Sequence, residues 1–248
     1  MSPKPSLDAT AVSAFMASRR STRDFLNQPV PAELLDAIIT DALTAASWSN
    51  TRPFMVGIAS GDKRDRISAE FLKRWAALSA ARVGGLLPKI RLALTRYGLP
   101  TSHPLIARPY PKELQPRAQR VGKELYAALG VARGDKVARD AQWARNYEFF
   151  GAPTELFIYA HKHFGVFSAA DAGLFVSQLM LSAHARGLGT CAQGAVSIWA
   201  DAVDREFDVP KGYKLLYGVA IGYPSDAAVN DFGANRIGAD EIKLRCFH

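Results

Sequence analysis

The stretch from Ser168 to Gly194 constrains the fold more than any other part of this chain. Leu174, Phe175, Val176, Leu179, Met180 and Leu181 follow one another with only small or polar residues among them. Apolar side chains therefore fall on nearly every face of the helix they imply, which predicts a helix buried on most sides. Ser168, with Asp171 three residues on, supplies a start signal: a hydroxyl cap and an acid in the positive first turn. Gly187 stands where a left-handed stop belongs. Gly189, Thr190, Gln193 and Gly194 then read as a small-residue turn, through which a backbone can approach a ligand closely.

A chain of 248 residues, 48% hydrophobic, can bury a sizeable core as one large domain or two small ones. No run of 18 apolar residues is present, so a membrane span is not expected. The first residues lack the basic and apolar regions of a signal peptide. Two cysteines, Cys191 and Cys246, make no disulfide framework, and this points to a reducing, cytoplasmic compartment. They form no closely spaced pair, and His161 and His163 have no metal partners nearby in sequence, so no metal site is expected. The net charge is +8, which would suit a nucleic-acid binder. Between Lys73 and Arg145, however, 15 Lys or Arg stand against 4 Asp or Glu, so the excess belongs to one excursion. Such a stretch is a solvated helical surface or a field that attracts small anions.

Taken in order, Asp8–Ser18 reads as a short amphipathic helix that runs into Arg19-Arg20-Ser21-Thr22-Arg23. Three guanidiniums and two hydroxyls in five residues are the donors a phosphate monoester wants. Pro31 suits the first turn of a helix expected over residues 32–46. The polar segment Ser47-Trp48-Ser49-Asn50-Thr51-Arg52-Pro53-Phe54 reads as a hydrogen-bonding loop, with a strand over 54–60 after it. A helix is expected at 64–82, a proline-broken stretch after it, and helices again at 117–129 and 138–147. Strands follow at 155–160 and 214–222, and the alternation of Ile242, Leu244 and Phe247 suggests a terminal strand over 241–248. Helices outweigh strands and do not alternate with them regularly, which argues α+β. Gly187-x-Gly189 follows a helix and lacks the third glycine of a dinucleotide fingerprint; no phosphate-binding P-loop or nucleophile elbow is present.

The order of these signals resembles the FMN-dependent nitroreductase family: the basic run, the Pro29-Val30-Pro31 helix, the Ser47–Phe54 loop and strand, the buried helix ending in Gly187-Leu188-Gly189-Thr190, and Gly222-Tyr223-Pro224. The resemblance covers most of the chain outside about 73–147. It implies a mixed, mostly antiparallel sheet flanked by helices, one domain over 1–248 with a basic helical insertion at about 73–147, and an intertwined homodimer. It places the flavin phosphate and ribityl chain on Arg19, Arg20, Ser21 and Arg23, and adds Arg236 to the phosphate site. Ser47, Trp48 and Asn50 would reach the flavin of the partner subunit. Here Ala46, Arg52 and Phe54 replace the family's proline, glutamine and tryptophan. The backbone amides of Gln193 and Gly194 would face flavin N5 and O4. Insertions at the 73–147 position shape the substrate pocket in this family, so Trp75, Tyr147, Phe149 and Phe150 are candidate lining residues, with plain packing as the alternative.

The activity implied is ping-pong reduction: NADPH or NADH gives a hydride to flavin N5, and a nitroaromatic acceptor then takes it, passing through nitroso and hydroxylamine products. FMN carries the redox chemistry, so no catalytic acid or base is assigned. A quinone or enone reductase, or a reductive dehalogenase, would share the fold. A non-enzymatic anion or nucleic-acid binder using the basic excursion is the alternative from another class.

Overall fold

Phe54–Ser60 forms β1, and it is the edge of a single four-stranded sheet. The other strands are β2 (Thr154–His161), β3 (Gly189–Gln193) and β4 (Tyr213–Gly222), in the order β1-β2-β4-β3 with every neighbouring pair antiparallel. Ser21 adds a parallel bridge to Thr190 beyond β3, so the sheet is mixed and mostly antiparallel, as expected. The computed structural model describes residues 7–102 and 109–244. Its helices are α1 (Ala9–Ser18), α2 (Ala32–Ala42), α3 (Gly61–Val83), α4 (Leu86–Thr95), α5 (Gln115–Ala128), α6 (Lys136–Ala144), α7 (Val166–Ala185) and α8 (Ala200–Asp204).

Period-two alternation in β2 divides the core. Leu156 and Ile158 face a layer with Leu35 and Ile38 of α2 and Phe175 and Leu179 of α7. Phe157 and Tyr159 face the opposite layer, with Phe71 of α3, Tyr147, Phe149 and Trp199. β2 is apolar on both sides because both faces are covered. α3, extending from the strand side of the sheet, also packs against α4, α6 and α8, so the basic stretch is rooted on the second layer.

Several sequence expectations need correction. α7 starts at Val166 after Gly165, whose φ is +54°, so Ser168 lies within the helix and is not its cap. Its buried Oγ has no partner. Asp171 accepts the Trp48 N–H at 3.1 Å, a tertiary contact that no cap signal could show. α7 is also less enclosed than expected: Val166, Phe167 and Leu174 are exposed along one side. By length and composition α7 could cross a membrane, but here it is packed against α2 and the sheet. Gly189–Gln193 is a strand where a turn was expected, since pairing with β4 outweighs the low strand preference of glycine; a 3₁₀ turn, Gly194–Trp199, follows. α2 stops four residues short of Ala46, and α4 was not foreseen. Of the expected terminal strand, Glu241 closes a 3₁₀ turn, Ala239–Glu241, and residues 245–248 lie outside the described residues, as does Pro104.

Candidate functional site

The basic run sits beside β3 because the Thr22 N–H donates to the Thr190 carbonyl at 3.0 Å. A Cβ at Gly189 would collide with Thr22, so glycine there permits the close approach. Asn230 then ties the run to the segment after β4. Its Oδ1 accepts from the N–H groups of Arg23 (2.8 Å) and Asp24 (3.2 Å), and its Nδ2 donates to the carbonyls of Asp24 and Ser225. Arg20 Nη1 donates to the Asp231 carbonyl at 2.7 Å, and the Arg23 guanidinium lies over the Phe232 ring. The outcome is that Arg236 stands near Arg19. Burial lowers the Arg19 pKa, and the positive charge of Arg236 lowers it further. Among the described residues neither arginine makes a hydrogen bond or ion pair. An anion would relieve the repulsion between two such charges and supply the acceptors that their guanidiniums lack.

The Ser47–Phe54 loop is strained. Ser49, Asn50 and Arg52 have φ of +49°, +56° and +45°, a region non-glycine residues avoid. Local bonds hold it: the Arg52 N–H donates to Ser47 Oγ at 3.1 Å, Thr51 Oγ1 to the Trp48 carbonyl at 2.8 Å, and the Arg52 guanidinium to Asn50 Oδ1. Arg52 Nε and Nη2 also donate to the Leu43 carbonyl at the end of α2. The arginine that replaces the family's glutamine thus closes a helix end. Trp48 is exposed and meets Phe167 edge to face at 4.5 Å, so this loop continues the uncovered side of α7.

Gln193 is the last residue of β3, and Gly194 opens the following turn. The Gln193 side chain points to the α3 layer, where Nε2 donates to the Asn146 carbonyl at 2.7 Å. Cys191, two residues earlier on the same face, is a buried thiol, and burial pushes it up to about 11.

The four aromatics are core residues of the single chain. Trp75, Tyr147, Phe149 and Phe150 are all buried, the first at 6% exposure and Tyr147 and Phe149 at 0%. They pack in one cluster with Phe71 and Trp199; large apolar rings next to a sheet gain most by full burial. Phe149 and Phe150 take positive φ, and the segment is clamped by Arg64 on the Glu148 and Ala152 carbonyls and by Ser68 on the Tyr147 carbonyl. Asn230 and Asp171 were not foreseen as site-building residues, and Thr22, expected as a hydroxyl donor, instead anchors the run through its main chain. Their signal is tertiary: each joins parts of the chain more than 120 residues apart. Among the described residues no cluster of His, Cys, Asp and Glu could hold a metal ion.

The profile of the nitroreductase family matches residues 16–223. The chain belongs to this family. Nitroreductase NfnB of Mycolicibacterium smegmatis is 33% identical over 239 residues, covering 96% of this chain and 94% of that protein. The nitrobenzene nitroreductase of Ectopseudomonas oleovorans is 29% identical over 229 residues, 92% of each chain. Among solved structures, the FMN-dependent nitroreductase NfnB from Mycobacterium smegmatis in complex with NADPH superposes with a TM-score of 0.78 at 31% identity, covering 96% of this chain and 99% of that one. A nitroreductase with bound FMN from Desulfitobacterium hafniense, at 16% identity and a TM-score of 0.59, shares the fold. The family match includes the basic run, the Ser47–Phe54 loop, α7 and the Gln193–Gly194 junction, and Arg236 lies beyond its end.

Proposed function

We propose that this chain is a homodimeric, FMN-dependent oxidoreductase that takes hydride from NADPH or NADH and reduces nitroaromatic compounds through nitroso and hydroxylamine to amine. The observation that carries this reading is the Arg19–Arg236 pair, unpaired among the described residues, on a basic run that bridges to β3 at Thr190. A phosphate monoester is the ligand whose charge and donor needs match it. The FMN-dependent and NADPH-bound structural neighbour, and relatives named for nitrobenzene and chloronitrobenzene, support the cofactors and the acceptor class.

When bound, FMN supplies the two-electron chemistry between nicotinamide and acceptor. The chain supplies grip and orientation. Arg19, Arg20, Arg23 and Arg236 would hold the phosphate, and Ser21 the ribityl chain. The amides of Gln193 and Gly194 would face the reactive edge of the ring, where such donors favour the charge that develops on reduction. Ser47, Trp48 and Asn50 serve the flavin of the partner subunit. The exposed side of α7, with Phe167 and Leu174, and the adjoining Trp48 form the subunit contact; such a face is costly to leave in water. The chain is read as one cytoplasmic domain whose insertion, about 73–147, is rooted on α3.

A visible spectrum of the purified protein tests the reading. A yellow dimer is expected, with a flavin band that NADPH bleaches without oxygen and nitrobenzene restores. A colourless protein that fails to take up added FMN overturns it.

A further inference from the structure

Glu155 is the least satisfied side chain in the core. It is fully buried in β2, and neither carboxyl oxygen has a hydrogen-bond partner. Gln193 in β3 is 2% exposed, and its Oε1 has no partner either, although its Nε2 is bonded to Asn146. A buried polar atom left unmatched costs about 1–3 kcal/mol, so three close together call for a cause.

They are close together. Glu155 and Cys191 flank Ala220 of β4 on one rung, and Gln193 lies two residues beyond Cys191, opposite Gly218. Alternation therefore puts Glu155 and Gln193 on the same face. A Cβ at Gly218 would collide with Glu155 Oε1, so the carboxyl occupies the space above Gly218. Gln193 starts one strand away, about 4.8 Å. Gly218 is glycine because a carboxyl fills its side-chain volume; its φ is not positive.

We propose that Glu155 and Gln193 close an internal brace over Gly218, in which a protonated Glu155 carboxyl donates to Gln193 Oε1 and so fixes the Gln193–Gly194 main chain and the insertion's root at Asn146 as one unit. The brace rests on the reading above that those amides face FMN. Glu155 touches no cofactor; it is a positioning residue. The charged and titratable groups that bear on it are Arg64 from α3 and the Cys191 thiol from β3. Burial raises the Glu155 pKa well above its ordinary value, and the opposing pull of Arg64 is smaller. Arg64 has its donors on the Ala152 and Glu148 carbonyls and on Asp65, so it makes no ion pair with Glu155. A raised folded pKa contributes stability that is complete below the unfolded value, about 4.3, and is lost as pH rises toward the folded one.

Two measurements test the brace. In protein stripped of FMN, infrared difference spectroscopy of wild type against E155Q at neutral pH should show the carbonyl band of a protonated carboxylic acid in wild type only. This readout does not depend on the flavin reading. In FMN-loaded protein, E155Q can still donate from its amide and should hold FMN within about twofold of wild type. E155M removes the donor and should weaken FMN about tenfold and shift the flavin midpoint potential, whereas Arg19→Ala should weaken FMN without that shift. Should E155M not fold, Gln193→Met removes the acceptor and carries the same measurement. A wild type without the protonated-acid band, or a folded E155M with wild-type FMN affinity and potential, overturns the brace. If the band is present but wild type binds no FMN, the pair stands and the flavin reading falls.

Discussion

Arg74 and Asp201 form a forked ion pair, with Nη1 and Nη2 each 2.7 Å from a carboxylate oxygen. It ties α3, which carries the insertion, to α8, which follows the Gln193–Gly194 junction. Arg74 Nε also donates to Glu70 at 2.7 Å, and the arginine side chain is only 7% exposed. Removing a mostly buried partner leaves charge unmatched. Arg74→Met should therefore cost about 3 kcal/mol, read from urea unfolding with an unchanged slope.

The same pair sets an acid limit. Arg74 hydrogen bonds hold the Asp201 carboxyl down to about 2, and its proximity to Arg205 adds to this. A depressed folded pKa contributes stability that is present above the unfolded value, about 3.9, and is lost as pH falls through the folded one. Wild type should lose stability between about pH 4 and pH 2. Asp201→Asn should flatten that limb, as shown by melting temperatures across acid pH.

Arg19 and Arg236 repel each other in the absence of an anion. Arg236→Ala should leave FMN-free protein as stable as wild type or slightly more so, while weakening FMN by at least about tenfold. Melting of the stripped protein and fluorescence titration with FMN read the two effects separately. Equal FMN content in wild type, Arg19→Ala and Arg236→Ala would remove the phosphate site from these residues.

Trp199 fills the centre of the second layer, at 0% exposure, and its Nε1 donates to the Leu99 carbonyl at 3.1 Å. Trp199→Phe should cost about 2–4 kcal/mol through the cavity and the orphaned carbonyl. Tyr147→Phe, which loses only a 3.3 Å contact with Trp143, should leave the KM for nitroarenes unchanged. A large rise in that KM would return Tyr147 to the pocket wall.

Leu174, half exposed on α7, has no covering element in the single chain. Leu174→Glu should convert a dimer to monomers that lose FMN, measured by light scattering after gel filtration. A monomeric wild type removes the shared-site reading of Trp48 and Asn50.

Element types were readable in the sequence wherever the local signal was strong. β1 matches its expected limits, Phe54–Ser60, because an apolar β-rich run is bounded by Pro53 and Gly61. Gly187 ends α7 with φ of +75°, as a left-handed stop requires. The run of Arg19, Arg20 and Arg23 was also visible in the sequence; that Arg20 is bonded to the Asp231 carbonyl and that Arg236 stands near Arg19 was not.

What the sequence determined by itself was therefore what propensity, periodicity and turn chemistry decide within a few residues: most helices and strands, the α+β class and the ordered motifs of the family. Only the tertiary structure decided that Ser168 is interior, that Gly189–Gln193 is a strand, that the four aromatics are core, and that Glu155 lies over Gly218. Each of these depends on a neighbour far away in the chain. Contact energies of that kind leave no mark in a local window.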